Sequence, residues 1–145
     1  MKDRLLATLR TDESFLGALA TVGSDGRPRV RYVIAQIDDD WVIRFPTFTA
    51  TQKVSHIRAQ PEVHLTCGNV DSGTPGSYFQ IEGTATIEIG ADERKQAWTS
   101  RLEKWFSGPD DKNYAVVKIV PYRIEALPIG GGPAVERWER GESQS

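Results

Sequence analysis

Short apolar runs, each closed by a turn signal, recur along most of this chain and restrict it to an antiparallel β fold. Phe15 to Val22 is apolar and runs into Gly23-Ser24-Asp25-Gly26. The Asp-Gly pair is a hairpin signal, and Arg27 to Ile37 returns as a long strand. Asp38-Asp39-Asp40 makes the next turn, and the stretch Trp41 to Phe45 places large apolar residues at 41, 43 and 45. Glu62 to Cys67 alternates in the same way through Val63, Leu65 and Cys67. Period two is the mark of a half-buried strand. Tyr78 to Ile89 is rich in β-branched residues and contains Gly83, which marks a bulge or a close approach. Tyr114 to Val120 and Tyr122 to Leu127 read as two more strands, broken at Pro121.

Helical signals are few. Leu5, Leu6 and Leu9 give residues 2–9 an amphipathic pattern. Lys53 to Ala59 is a short helix stopped before Pro61. Asp92 is placed to cap a helix reaching about Phe106, with Trp98, Leu102 and Trp105 on one face. Ser107-Gly108-Pro109 ends it. Gly68 to Gly76 has loop composition. The expected fold is therefore mainly β: a six- to seven-stranded antiparallel barrel with flanking helices, a sandwich being the alternative. Residues 1–127 form the expected domain. Residues 128–145 open with Ile129-Gly130-Gly131-Gly132-Pro133, a flexible tail in which Trp138 is either free or docked elsewhere.

The 145 residues suit one domain. Eighteen basic against 20 acidic residues give a net charge of -2, which argues against a protein built around nucleic acid or an anionic membrane. The single cysteine, Cys67, excludes an internal disulfide and a thiolate zinc site. No signal region or long apolar run is present, so a cytoplasmic location is expected.

Motifs for nucleophilic, metal-assisted or nucleotide chemistry are missing. His56 and His64 read as structural residues, Cys67 as inert core, and the Asp38–Asp40 run as a turn. The informative residues are cationic. Arg27, Arg29 and Arg31 repeat at period two and project from one strand face. Such a row is either a solvated face or an anion site. Thr47, Thr49, Thr51 and Lys53 surround a helix start, where free amides, the helix dipole, hydroxyls and an ammonium group favour a phosphate. Simple N-capping by Thr49 or Thr51 is the competing explanation. Residues 27–58 hold six basic groups against three acidic ones, a local positive excess that the overall charge conceals.

With these residues in view, the chain resembles the flavin-binding split barrels related to pyridoxamine 5'-phosphate oxidase, most of all their small general-stress-protein branch. The resemblance covers roughly residues 5–125. It is carried by FLGALATVGSDGRPRVRYV (15–33), WVIRFPTFTATQKVSHIRAQPEVHLT (41–66), YFQIEGTATI (78–87) and KWFSGPDD with the strand after it (104–120). It implies that Arg31 binds the phosphate of flavin mononucleotide (FMN). It further implies that Tyr32, Val33 and Ile34 lie along the isoalloxazine and that Pro46-Thr47 sits near the ring. The family's Ser-Arg-Lys phosphate motif falls on Thr51-Gln52-Lys53, and Tyr78 stands where the oxidase has a flavin-contacting glutamine. A homodimer with flavin at the subunit interface is also implied.

Gln52 replaces the motif arginine, and Gln36 replaces a lysine of the oxidase. These departures argue for a weakened phosphate site and against true pyridoxamine phosphate oxidation. The expected function is FMN-dependent oxidoreduction of a small molecule, with no protein residue acting as catalyst and no metal. The alternatives are a non-catalytic flavin-binding stress or sensor protein, or a split barrel using deazaflavin or haem. Haem would need His56, His64, Cys67 or Met1 as axial ligand. A nucleic-acid module that stacks bases on Tyr32 is a further, different class.

Overall fold

The hairpin expected around Asp25-Gly26 is the first paired unit of the sheet. In a computed structural model, which describes residues 14–68, 77–134 and 136–141, β1 (Phe15–Val22) pairs antiparallel with β2 (Pro28–Ile37). Gly26 takes a positive φ of 80° in the turn, a conformation glycine adopts without strain. The helix expected over residues 2–9 lies outside the described residues, as does most of the loop expected over 68–76.

The chain continues through β3 (Ile43–Phe48), α1 (Gln52–Ala59), β4 (Glu62–Cys67) and β5 (Ser77–Glu88). A short helix α2 (Ala91–Gln96) and a 3₁₀ turn (Ser100–Lys104) follow, then β6 (Tyr114–Pro128) and β7 (Glu136–Glu139). The strand order is β3-β2-β1-β4-β5-β6-β7, and β3 also pairs with β6. Six strands thus close into an antiparallel barrel, with β7 added beside β6. Closure removes the free sheet edges that would otherwise invite aggregation.

The inward face of each strand supplies the core. Leu19, Ile43, Phe45, Leu65, Ile81, Ile119 and Ile124 are buried completely or nearly so. Each such side chain contributes roughly 1.5–3 kcal/mol by leaving water. Ile57 of α1 joins the same cluster. A second cluster of Ala97, Leu102, Phe106, Tyr114 and Val116 packs the 3₁₀ segment outside β6.

Three expectations change. The helix reaching Phe106 is instead α2 and a separate 3₁₀ turn, with Ala97 to Thr99 outside both. The break puts Leu102 in the second cluster but leaves Trp105 54% exposed, so the aromatic face does not act as one stripe. The two strands around Pro121 are one strand, because Pro121 sits opposite Gly83 where the β5–β6 register shifts. That bulge absorbs the missing donor of proline. Finally, part of the stretch expected as a flexible tail is β7, and Trp138 stacks on Trp41 with centroids 4.7 Å apart and planes within 5°.

Ion pairs fasten α2 to the barrel. Glu93 accepts from Arg44 Nε at 2.8 Å and from Lys118 Nζ at 2.9 Å, while Arg44 Nη1 donates to Asp38 at 2.7 Å. The hydrogen bond from Arg44 is the main cause that holds the Glu93 pKa below the usual value. Its contribution to stability is therefore complete above the ordinary glutamate range and is lost as pH falls through the lowered pKa. Glu93→Gln is expected to lower stability at pH 7 by roughly 1–3 kcal/mol. The gap to the parent should close in strong acid, as read from urea midpoints across pH.

A Cβ on Gly83 would lie 2.8 Å from the Val120 carbonyl oxygen and 2.9 Å from Ile119 Cγ2. Gly83→Ala is expected to cost about 1–3 kcal/mol through this overpacking, seen as a lower urea midpoint without a change in slope.

Candidate functional site

The barrel wall opens between β2 and β3. Their ladder consists of Gln36 opposite Arg44 and Ile37 opposite Ile43. Beyond it β3 pairs with β6 from Ile43 to Phe48, and the two strands diverge. A cleft of about 300 Å³ lies in the gap, lined by Tyr32, Val33 and Ile34 on one side and Phe45 to Phe48 on the other. Lys53 of α1 stands at it, and Arg101, Leu102, Trp105 and Phe106 form its outer wall. This is ligand-pocket size, apolar and aromatic with a few charged groups.

At one end the cations converge. Arg31 donates from Nη1 to the Thr21 hydroxyl at 2.7 Å. Its Nη2 is buried and has no hydrogen-bond partner among the described residues. Burial first, then the nearby Arg29, lowers the Arg31 pKa. Lys53 is lowered for the same two kinds of reason, burial and then the charge of Arg31. Two cations are thus held close together in a partly desolvated place, with one guanidinium nitrogen unsatisfied. Buried donors are rarely left so, and an anion would satisfy the nitrogen and relieve both shifts.

Thr51 is the N-cap residue of α1 but makes no side-chain cap bond. Its hydroxyl instead lies 3.3 Å from that of Thr47, which is buried and also donates to the Phe48 carbonyl at 3.2 Å. Capping by Thr51 therefore does not account for this residue. The helix N-terminus, the hydroxyl pair and Lys53 sit together as a phosphate site requires.

Of the ten residues singled out in the sequence, Tyr32, Val33, Ile34, Pro46, Thr47 and Lys53 line the cleft. Arg31 and Thr51 join it through Lys53 and Thr47 respectively. Gln52 is exposed at the first helical position. Tyr78, on β5 opposite Leu127, does not line the cleft of its own chain. The sequence reading missed Thr21, whose hydroxyl also meets His56 Nδ1 at 3.0 Å. It also missed the wall from Arg101 to Phe106, because a continuous helix would have turned Trp105 toward the core. The Arg27 side of the arginine row is exposed and pairs with Asp25.

Of the candidate haem ligands, His56, His64 and Cys67 are absent from the cleft lining, and Met1 lies outside the described residues. Burial pushes the Cys67 thiol up to about 12, so it is inert. Asp38 accepts from the amides of Asp40 and Val42 and pairs with Arg44, which is turn and tether chemistry. Among the described residues no helix is long and apolar enough to cross a membrane.

A six-stranded antiparallel barrel whose wall opens between β2 and β3 defines a split-barrel protein. The family model of pyridoxamine 5'-phosphate oxidase matches residues 1–127, and the chain belongs to that family. It is 34% identical over 130 residues to General stress protein 26 of Bacillus subtilis (strain 168), a match covering 90% of each chain. The crystal structure of General Stress Protein 26 from Bacillus anthracis str. Sterne superposes with a TM-score of 0.77 at 25% identity, covering 95% of this chain and 97% of that one. A solved F420 reductase superposes with a TM-score of 0.61 at 26% identity, covering 82% and 94% respectively.

Lys53 destabilises the ligand-free protein wherever it is protonated, because its folded pKa is below the unfolded one. That penalty is present at neutral pH and fades as pH rises through the lowered pKa toward the ordinary lysine value. Lys53→Met is therefore expected to raise the melting temperature of ligand-free protein at pH 7. Its advantage over the parent should shrink in alkaline buffer, and millimolar phosphate should stabilise only the parent.

Proposed function

We propose that this protein binds FMN and uses it in oxidoreduction of a small molecule. The observation that carries the reading is the buried Nη2 of Arg31, unpartnered among the described residues, whose charge acts on Lys53 in the lining of an aromatic-walled cleft. In this reading Arg31, Lys53 and the Thr51 and Thr47 hydroxyls hold the phosphate. Tyr32, Val33 and Ile34 form the platform for the ring, and Phe48, Trp105 and Phe106 exclude water from it. Bound flavin supplies one- and two-electron redox chemistry, which fits a site without an acid–base pair or nucleophile. Tyr78 reaches a flavin only across a subunit interface. The apolar stripe of Leu16, Val30, Tyr32 and Ile34 on the outer face of β1 and β2, each at least half exposed, supports a homodimer formed there.

Purified protein is expected to show a flavin spectrum, and heat should release a species with the mass of FMN. A colourless protein that also fails to take up added FMN would sink the reading. Arg31→Ala with Lys53→Ala is expected to weaken FMN binding on the order of a hundredfold, with circular dichroism and dimer mass unchanged. Turnover with NADH or NADPH separates an oxidoreductase from a flavin-binding stress protein. A second reading, a deazaflavin in the same cleft, is supported by the similarity to the F420 reductase, and the released mass decides between the two.

A further inference from the structure

Arg31 is held by more than its own strand. In the β1–β2 ladder it lies opposite Leu19, and Arg29 lies opposite Thr21. Residues directly opposite share a face of the sheet, so Thr21 and Arg31 turn to the same inward side as the fully buried Leu19. Thr21 is fully buried too. Its hydroxyl meets two partners from different elements, Arg31 Nη1 at 2.7 Å and His56 Nδ1 of α1 at 3.0 Å. Nη1 also reaches the carbonyls of Leu19 and Arg29, at 3.4 and 3.3 Å. All three contacts fall on one nitrogen. The guanidinium is planar and rigid, so clamping Nη1 fixes where Nη2 points, and Nη2 is the buried donor without a partner among the described residues.

The protons in this chain have a forced order. A guanidinium only donates, so Thr21 Oγ1 accepts from Arg31. The hydroxyl's own proton then needs an acceptor, and His56 Nδ1 is the one beside it among the described residues. Nδ1 is therefore the bare nitrogen, and Nε2 carries the ring proton. The other edge of the ring agrees with this order. A Cβ on Gly23 would lie 3.0 Å from His56 Nε2 and 3.0 Å from Asp25 Oδ1. Nε2 thus sits at the hairpin turn near a carboxylate oxygen, where a donor is favoured, and glycine leaves it room. His56 and Lys53 are three residues apart on α1 and share a side of it. Lys53 lines the cleft, while neither His56 nor Thr21 does.

We propose that Thr21 and His56 are positioning residues for the anion anchor. His56, protonated on Nε2, orients the Thr21 hydroxyl, which holds Arg31 Nη1 and leaves Nη2 free for a phosphate. This rests on the cofactor reading for the identity of that phosphate. One helix then places both cations, Lys53 directly and Arg31 through the hydroxyl.

The test compares FMN with riboflavin, which lacks only the phosphate, by titration of the purified protein freed of bound flavin. Thr21→Val is expected to shrink the advantage of FMN over riboflavin about tenfold while riboflavin binds as before. Thr21→Ser should restore most of it. His56→Leu should shrink it as well, and His56→Asn, whose side-chain carbonyl accepts in place of Nδ1, should keep it. A general loosening of the barrel would weaken both flavins alike. That result, or an unchanged ratio in Thr21→Val or His56→Leu, overturns the proposal. Nitrogen NMR of the parent in mildly alkaline buffer needs no variant: a proton on His56 Nε2 is expected, and a proton on Nδ1 overturns the proposal. A parent that binds neither flavin defeats the cofactor reading, and the same variants are then titrated with inorganic phosphate. A loss of about tenfold in Thr21→Val supports the positioning role there, and no loss overturns it, as does a parent that binds no phosphate.

Discussion

Barrel closure depends on one long strand. β6 runs from Tyr114 to Pro128 and pairs with β5 over nearly its whole length, with β3 at its start and with β7 near its end. β3 has one edge toward β2 and the other toward β6, yet it does not use the two equally. It follows β6 for six residue pairs and β2 for only two. The split that holds the cleft is the direct consequence of that choice. The bulge at Gly83 lets β6 continue past Pro121 and so makes the choice possible.

Once the wall is open, the charge placed at its end acts against folding. Arg31 and Lys53 are both partly withdrawn from water and repel each other. Among the described residues, Arg31 finds only a neutral hydroxyl, from Thr21, and two carbonyls, Leu19 and Arg29. A paired carboxylate would have been more favourable for the empty protein, as at Arg44 and Arg123, where partners raise the arginine pKa. Under the proposed function the compensating charge comes from the bound anion, and its binding is then coupled to stability.

Much of this was legible in the residues because the signals were local. Alternation at period two located β4 and the first residues of β3, the apolar run ending in the Asp-Gly turn located the hairpin of β1 and β2, and Gly83 announced its bulge. Thr47, Thr51 and Lys53 stood out because hydroxyls and an ammonium group gather at a helix start, and Arg31 through the arginine row and the family resemblance; their contact with a phosphate belongs to the proposed function. What was not legible depended on distant partners. Pro121 reads as a strand break until Gly83 is known to lie opposite it. Trp138 reads as part of a flexible tail until Trp41, nearly a hundred residues earlier, is found beneath it. The 3₁₀ wall was hidden because the spacing of Trp98, Leu102 and Trp105 suits a continuous helix. Tertiary packing of Leu102 and Phe106 against Tyr114 overrides that local preference.

The two ends of the cleft also differ in how they are built. The end with Arg31 and Lys53 is made by β1, β2 and α1, and Ile57 of α1 belongs to the barrel core. Changing it disturbs the elements that make the barrel stable. The wall with Arg101 belongs to a segment outside the barrel, held by the Glu93 ion pairs and by the separate cluster around Tyr114. Residues 100–106 can therefore vary in shape and charge with little effect on barrel closure. Under the proposed function, a barrel that keeps its anion anchor while this outer wall is exchanged changes its reacting partner without being refolded. The place to look for what sets one member of this family apart is the 3₁₀ wall, not the barrel that carries it.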